Sequence, residues 1–194
     1  MNIKTFYCNP YRECTYIVTA DREELKTDQA LRPCLIIDPG MYGEREEERV
    51  MKYLSEQGLQ PAAILITHKH PDHVCGLECL LRLWPELPII GLKFTMPDQP
   101  DQVQEIAGMR FRILATPGHK EDSLCFWFEE ENTLFSGDTL FEGSIGRTDL
   151  PGGDMQQIIR SLNHLKTLPD CTIVYAGHGY PTTIGREKQQ NPYM

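Results

Sequence analysis

The sequence predicts a layered α/β protein, and three observations carry that prediction. Seven short apolar runs read as strands, several of them apolar on consecutive residues, so both sheet faces are expected to be covered. Amphipathic helical segments are mixed among these runs, the pattern that builds helix-on-sheet layers. Five of the runs stop at a turn carrying Asp or His, where a rigid sheet presents functional groups.

The first expected strand is Thr15 to Thr19, and the second is Cys34 to Ile37, which stops at Asp38-Pro39-Gly40. A helix follows: the charged run Glu44 to Arg49 reads as its solvated face. Val50, Met51 and Leu54 continue it at helical spacing, and Gly58 supplies a C-terminal stop. The strand Ala63 to Thr67 runs into His68, and a helix is expected over Cys75 to Trp84, ended by Pro85. Phe111 to Leu114 leads to Thr116-Pro117-Gly118-His119, Leu124 to Phe128 is the next strand, and Thr133 to Phe135 leads to Ser136-Gly137-Asp138. Asp154 starts another helix, with Gln157 at the capping-box position and Ile158, Ile159, Leu162 and Leu165 on one face. The last strand, Thr172 to Tyr175, ends at Ala176-Gly177-His178. The chain has no internal repeat, linker or low-complexity tract, and its 194 residues suit a single domain over 1–194.

Composition narrows the function classes. A chain that is 40% hydrophobic and 24% charged is ordinary globular protein, not disordered, collagenous or coiled-coil. A net charge of −9 argues against a nucleic-acid or membrane binder, since phosphate contact needs clustered cations. No stretch approaches the roughly 18 apolar residues of a membrane span, and the first residues lack a signal peptide's apolar run, so a cytoplasmic location is expected. Seven cysteines at irregular spacing fit reduced thiols. Cys75 and Cys79 are four apart without a second pair to complete a zinc site, so the cysteines read as structural or incidental.

The chemistry concentrates in His68-Lys69-His70-Pro71-Asp72-His73, which holds three of the six histidines. In an extended segment residues i and i+2 point the same way, so His68 and His70 can grip one ion. Pro71 turns the chain, and Asp72 and His73 can then face a second ion beside the first. His119, Asp138 and His178 each stand at a strand end as well. His164 alone falls outside the pattern, in mid-helix, and reads as surface or packing.

With Thr116-Pro117-Gly118-His119, Ser136-Gly137-Asp138 and Gly177-His178-Gly179, this motif resembles the metallo-β-lactamase-fold hydrolases in content and order. The resemblance implies a four-layer αββα sandwich with two metals at one edge of its two sheets. It implies that His68, His70 and His119 hold the first metal, that Asp72, His73 and His178 hold the second, and that Asp138 bridges both. It makes Asp38 a buried carboxylate that orients a ligand, which is physically expected because ligating imidazoles donate their other N–H.

Within that superfamily the chain looks most like short bacterial type II glyoxalases, the hydroxyacylglutathione hydrolases. Phe135-Ser136-Gly137-Asp138-Thr139-Leu140-Phe141, Gly146-Arg147-Thr148-Asp149, and the tail Gly185-Arg186-Glu187-Lys188 to Asn191-Pro192-Tyr193 carry the likeness. It places Arg147 where such enzymes hold the glutathione moiety, against a local salt bridge to Asp149, and Tyr180 at a substrate contact, against simple packing. Longer members complete the glutathione site with a C-terminal helical region, whereas 16 residues follow His178 here. Arg186 and Lys188 either supply charge in its place or are solvated tail residues.

Seven N and O ligands without thiolate suit two divalent ions, Zn2+ first, with iron or manganese also admitted. The implied reaction is attack of metal-bound hydroxide on an acyl carbon, with Asp72 orienting the nucleophile. A thiolate leaves without a proton because its conjugate acid has a pKa near 8.5, whereas a lactam nitrogen needs a placed donor that the sequence does not offer. A small-molecule thioester is therefore the expected substrate, ahead of a β-lactam. The competing readings are a persulfide dioxygenase, with one iron on His68, His119 and Asp138, and a lactonase.

Overall fold

β1 (Asn2–Cys8) and β2 (Glu13–Thr19) pair antiparallel across a turn in which Asn9 and Arg12 adopt positive φ of 50° and 58°. The computed structural model describes residues 1–21, 31–91 and 102–194. β2 pairs antiparallel with β3 (Arg32–Ile37), and β3 lies parallel to β4 (Leu59–Leu65). Parallel neighbours need a crossover, which α1 (Glu44–Glu56) supplies.

α1 buries Val50 and Leu54, and Gly58 follows its end at φ 58°. With Ile17, Ile36, Ile64 and Leu80, these side chains form one core, each at most 2% exposed. Full burial of such a residue stabilises the fold by roughly 1.5–3 kcal/mol.

The helix expected over Cys75 to Trp84 is α3 (Leu77–Leu83), and a separate short helix, α2 (Pro71–Val74), precedes it. Gly76 divides them because the chain there packs onto the Asp38 turn. Its N–H donates to the Pro39 carbonyl at 2.8 Å, and a Cβ would come within 2.7 Å of the Met41 side chain. β5 (Ile89–Ile90) completes a five-stranded sheet of order β1-β2-β3-β4-β5.

The second sheet begins with β6 (Gln102–Ile106), β7 (Met109–Ala115), β8 (Leu124–Phe128) and β9 (Thr133–Gly137). A small hairpin, β10 (Leu140–Phe141) with β11 (Ser144–Ile145), leads to α4 (Met155–Leu165). That helix is the crossover to β12 (Ile173–Ala176), which lies parallel to β9, and β13 (Thr182–Thr183) and α5 (Ile184–Gln190) follow. The strand order is β13-β12-β9-β8-β7-β6. One face carries Leu134, Leu162, Leu165 and Val174 in a common core. The alternate residues Phe126, Phe128 and Phe135 are also buried, so the sheet is covered on both sides as expected.

Asp154 caps α4 by accepting from the Gln157 N–H at 2.9 Å. The expected capping box is only half made. The Asp154 N–H goes to the Gly118 carbonyl at 2.7 Å, so the Gln157 amide reaches the Asp154 carboxylate at 3.3 Å instead. Among the described residues the packing resolves two compact units: 1–21, 31–66, 70–90 and 105–109 in one, and 67–69, 91, 102–104 and 110–194 in the other. No helix among them is long and apolar enough to cross a membrane.

Candidate metal centre

The first unit carries Asp38, His70, Asp72 and His73. Asp38 ends β3 at φ 46°, a left-handed conformation uncommon for a non-glycine residue. Its N–H donates to the Leu65 carbonyl at 3.0 Å, which fixes the turn to β4. His70 is the extended N-cap of α2 at ψ 144°, and Pro71 occupies the first helical position, so Asp72 and His73 fall in the first turn. His73 is fully buried and donates from Nδ1 to the Asp38 carboxylate at 3.0 Å. A carboxylate only accepts, so the proton sits on Nδ1 and the lone pair on Nε2. That Nε2 lies 3.8 Å from Asp72 Oδ2.

Glu13 is the residue this cluster adds to the sequence reading. It is completely buried on β2 and belongs with Asp38 and His73 to a group whose ligand atoms lie within 4.8 Å of one another. Thr15 Oγ1 donates to Glu13 Oε2 at 2.9 Å and accepts from the Gly40 N–H at 2.9 Å. Burial, then the Asp38 charge, pushes the Glu13 carboxyl well above the usual carboxylate range. The only sequence signal was a lone carboxylate in an otherwise uncharged strand.

The raised pKa fixes a sign. Stability from a neutral Glu13 is fully present below the unfolded pKa of about 4.3 and is lost as pH rises toward the folded value. Glu13→Gln keeps the shape without the charge. It is expected to raise the melting temperature by a few degrees at pH 8 and to have little effect at pH 4, as read by thermal denaturation.

The second unit carries His68, His119, Asp138 and His178. β9 and β12 are parallel neighbours, so their C-terminal ends emerge side by side, with Gly177 N–H donating to the Gly137 carbonyl at 2.8 Å. Asp138 follows β9 directly, and His178 follows β12 after Gly177. Asp138 Oδ2 lies 3.5 Å from His119 Nε2 and 3.7 Å from His178 Nε2. The His68 and His119 rings meet edge to face at 4.9 Å. α4 pins the turn before His119, where Ser161 Oγ donates to the Pro117 carbonyl at 2.7 Å.

His119 donates from Nδ1 to the Arg147 backbone carbonyl at 2.8 Å, leaving the lone pair on Nε2. His68 Nδ1 bonds the Thr67 hydroxyl at 3.1 Å. Three imidazoles thus spend Nδ1 on the protein, as metal-ligating histidines do. Two ligands on one tetrahedral ion stand about 3.4 Å apart. The 3.5, 3.7 and 3.8 Å spacings fit that distance, and an all N and O donor set suits a divalent ion. The chain passes from one set to the other within the motif itself, between Lys69 and His70.

The remaining candidates sit further out. Arg147 is exposed, and its Nε and Nη2 each donate to the Asp149 carboxylate at 2.7 Å. The paired guanidinium holds Asp149 down at about 2. Tyr180 is 68% exposed two residues beyond His178. Arg186 pairs with Glu142 at 2.6 Å and Lys188 with Asp170 at 2.6 Å, which commits both tail cations to local partners. His164 is exposed on α4, as the sequence suggested. All seven cysteines are free thiols.

The comparison that decides the family is a match of the Metallo-beta-lactamase superfamily model to residues 32–178. The chain belongs to the metallo-beta-lactamase superfamily. It is 35% identical to the hydroxyacylglutathione hydrolase GloC of Haemophilus influenzae, over 82% of this chain and 86% of that protein. It is 32% identical to the probable metallo-hydrolase YqgX of Bacillus subtilis, over 83% of this chain and 87% of that one.

Among solved structures, the BLEG-1 B3 metallo-beta-lactamase superposes at TM-score 0.84 with 28% identity, covering 99% of both chains. ETHE1 from Myxococcus xanthus does so at 0.82 with 28% identity, covering 99% of this chain and 84% of that one. TTHA1623 in a di-iron-bound form does so at 0.76 with 34% identity, covering 98% and 100%. The α/β class read from the strands is therefore the metallo-beta-lactamase fold, and the glyoxalase II likeness is shared with named relatives. This superfamily enzyme carries His and Asp clusters able to hold metal ions.

Proposed function

We propose that the chain is a binuclear metal-dependent hydrolase of thioesters of the hydroxyacylglutathione type. The observation that carries this reading is Asp138, whose single Oδ2 faces Nε2 of both His119 and His178. A carboxylate so placed suits a ligand shared by two ions. On the family pattern His68, His70 and His119 would hold one ion and Asp72, His73 and His178 would hold the other. Bound divalent ions supply a hydroxide nucleophile near neutral pH and polarise the acyl carbonyl.

The chain's own residues set the geometry for that chemistry. Asp38 fixes the His73 tautomer and the Arg147 carbonyl fixes that of His119, so both rings present Nε2 without rearrangement. Asp72, whose Oδ2 lies 3.8 Å from His73 Nε2, would accept a hydrogen bond from that nucleophile and orient it. A thiolate departs unprotonated, so no general acid is required. A β-lactam nitrogen needs one, which favours thioesters over the activity named in the BLEG-1 likeness. The GloC relative supports the same substrate class.

The likeness to ETHE1 supports a second reading, a mononuclear-iron persulfide dioxygenase. Assays of metal-loaded protein on a thioester panel, alongside oxygen uptake on a persulfide, separate the two. Thioester cleavage without oxygen consumption is expected; persulfide-dependent oxygen uptake by a protein inert to thioesters would overturn the hydrolase.

Arg147 is proposed to hold a carboxylate of an anionic thiol carrier, exchanging its Asp149 partner for the substrate. Because the site is exposed and Asp149 competes, the effect is modest. Arg147→Ala is expected to raise KM for glutathione thioesters about three- to tenfold with little change in kcat, and to do less for a neutral thioester. Equal effects on both substrates would assign Arg147 to bracing its own loop.

A further inference from the structure

A cavity of about 330 Å3 opens in the first unit beside Asp72. Its size is at the lower end of small-molecule sites, about 300–1,000 Å3. Pro10, Tyr11, Tyr42, Pro71 and Cys75 line it together with Asp72. Tyr11 and Tyr42 are 73% and 68% exposed, two large aromatic bodies held in water next to a carboxylate of the proposed centre.

The rim is tied down. Asn9 Nδ2 donates to the carbonyls of Gly40 at 3.0 Å and Asp72 at 2.9 Å, and Asn9 Oδ1 accepts from the Tyr11 N–H at 3.0 Å. Glu46 Oε2 accepts from the N–H groups of both Asn9 and Tyr42, each at 2.8 Å. The β1–β2 turn, the loop before α1 and the start of α2 therefore meet at Asn9 and Glu46, with both tyrosine backbones fixed. Such a preformed wall binds without first paying to order itself.

The lining also selects. It holds no cation to pair with the carboxylates of a charged thiol carrier, and its tyrosine and proline faces accept an uncharged apolar group. Cys75 is not a competing nucleophile: its thiol donates to the Gly40 carbonyl at 3.1 Å, and burial pushes it up to about 11.

We propose that this cavity is the acyl subsite. It takes the apolar or aromatic acyl group of a thioester, and Tyr11 and Tyr42 are its specificity-determining walls. The proposal rests on the thioester reading above, and its test separates the two.

The direct test titrates 3-phenylpropionate, and acetate as the small control, into zinc-loaded protein followed by 1H–15N NMR. Phenylpropionate is expected to shift the Tyr11 and Tyr42 amides and to bind at least about tenfold tighter than acetate. Tyr11→Ala/Tyr42→Ala should erase that preference, whereas Tyr11→Phe/Tyr42→Phe should keep it, because the ring faces make the contact. The spectra themselves report whether each variant is folded. Phenylpropionate bound no tighter than acetate, or equally by the alanine variant, overturns the subsite.

In parallel, kcat/KM is compared for 3-phenylpropionyl and acetyl thioesters of one neutral thiol, with about a tenfold preference for the former expected in the wild type. Phenylpropionate binding at the tyrosines without hydrolysis of any thioester sustains the cavity's ligand class and overturns the hydrolase. Hydrolysis of both thioesters at equal rates, with binding indifferent to the tyrosines, sustains the hydrolase and overturns the subsite.

Discussion

Asp138→Ala is expected to cost about 10^3-fold or more in kcat/KM, more than alanine at any single histidine of the site. Its Oδ2 lies 3.5 Å from His119 Nε2 and 3.7 Å from His178 Nε2, so its removal weakens two ligand environments at once. A shared carboxylate also offsets the repulsion between two like-charged ions. Each histidine, by contrast, serves one ion, and the catalytic contribution at stake is several kcal/mol. Steady-state kinetics on the alanine series, with metal analysis of each variant, checks the ranking. An Asp138→Ala enzyme that keeps most of its activity and both ions would remove the bridging role.

Gly146→Ala is expected to damage the metal site although it removes no ligand. A Cβ there would overlap the Asp138 carbonyl and stand 2.9 Å from Cγ and Nδ1 of His119. Gly146 precedes Arg147, whose carbonyl accepts the His119 Nδ1 hydrogen bond. One methyl group therefore presses on two ligands and on the partner that orients one of them. Overpacking of this kind costs about 1–3 kcal/mol, and disturbing an orienting partner costs about 10–100-fold in metal affinity. Thermal melts of the metal-free protein report the first loss, and metal titration the second. Wild-type metal affinity in Gly146→Ala would show that the loop gives way without moving His119.

The strands that bear ligands were legible because their apolar runs end in chemically distinctive turns. β8 spans Leu124–Phe128 as read, and β9 runs two residues past Phe135, through Gly137, to place Asp138. β1 was not legible: Asn2, Lys4 and Tyr7 are exposed and only Phe6 and Cys8 are buried, so it carries no continuous apolar run, and pairing with β2 makes it a strand. α5 was hidden for a different reason. It lacks an apolar stripe and is held by the buried Glu187, which accepts from Thr182 Oγ1 at 2.6 Å and from Gly143 N–H and Asn191 Nδ2 at 2.8 Å each.

Within the site, the histidines and aspartates announced themselves by spacing, and the groups that orient them did not. The Arg147 carbonyl has no signature because every residue has one. The Arg147 side chain stands out in the sequence, while the structure uses its backbone on His119. The Gly76 break likewise depends on the approach of Pro39 and Met41, about 35 residues earlier in the chain. Local spacing carries ligand identity, and long-range packing carries ligand orientation.

The central proposal is that, on the family pattern, His68, His70, Asp72, His73, His119, Asp138 and His178 would together hold two ions. Elemental analysis of purified, active protein tests it most directly, as metal ions per chain with activity followed through chelation and reloading. The account predicts close to two ions per chain, loss of thioesterase activity on chelation, and its return only as the second ion is restored. Full activity at a single ion per chain would contradict it.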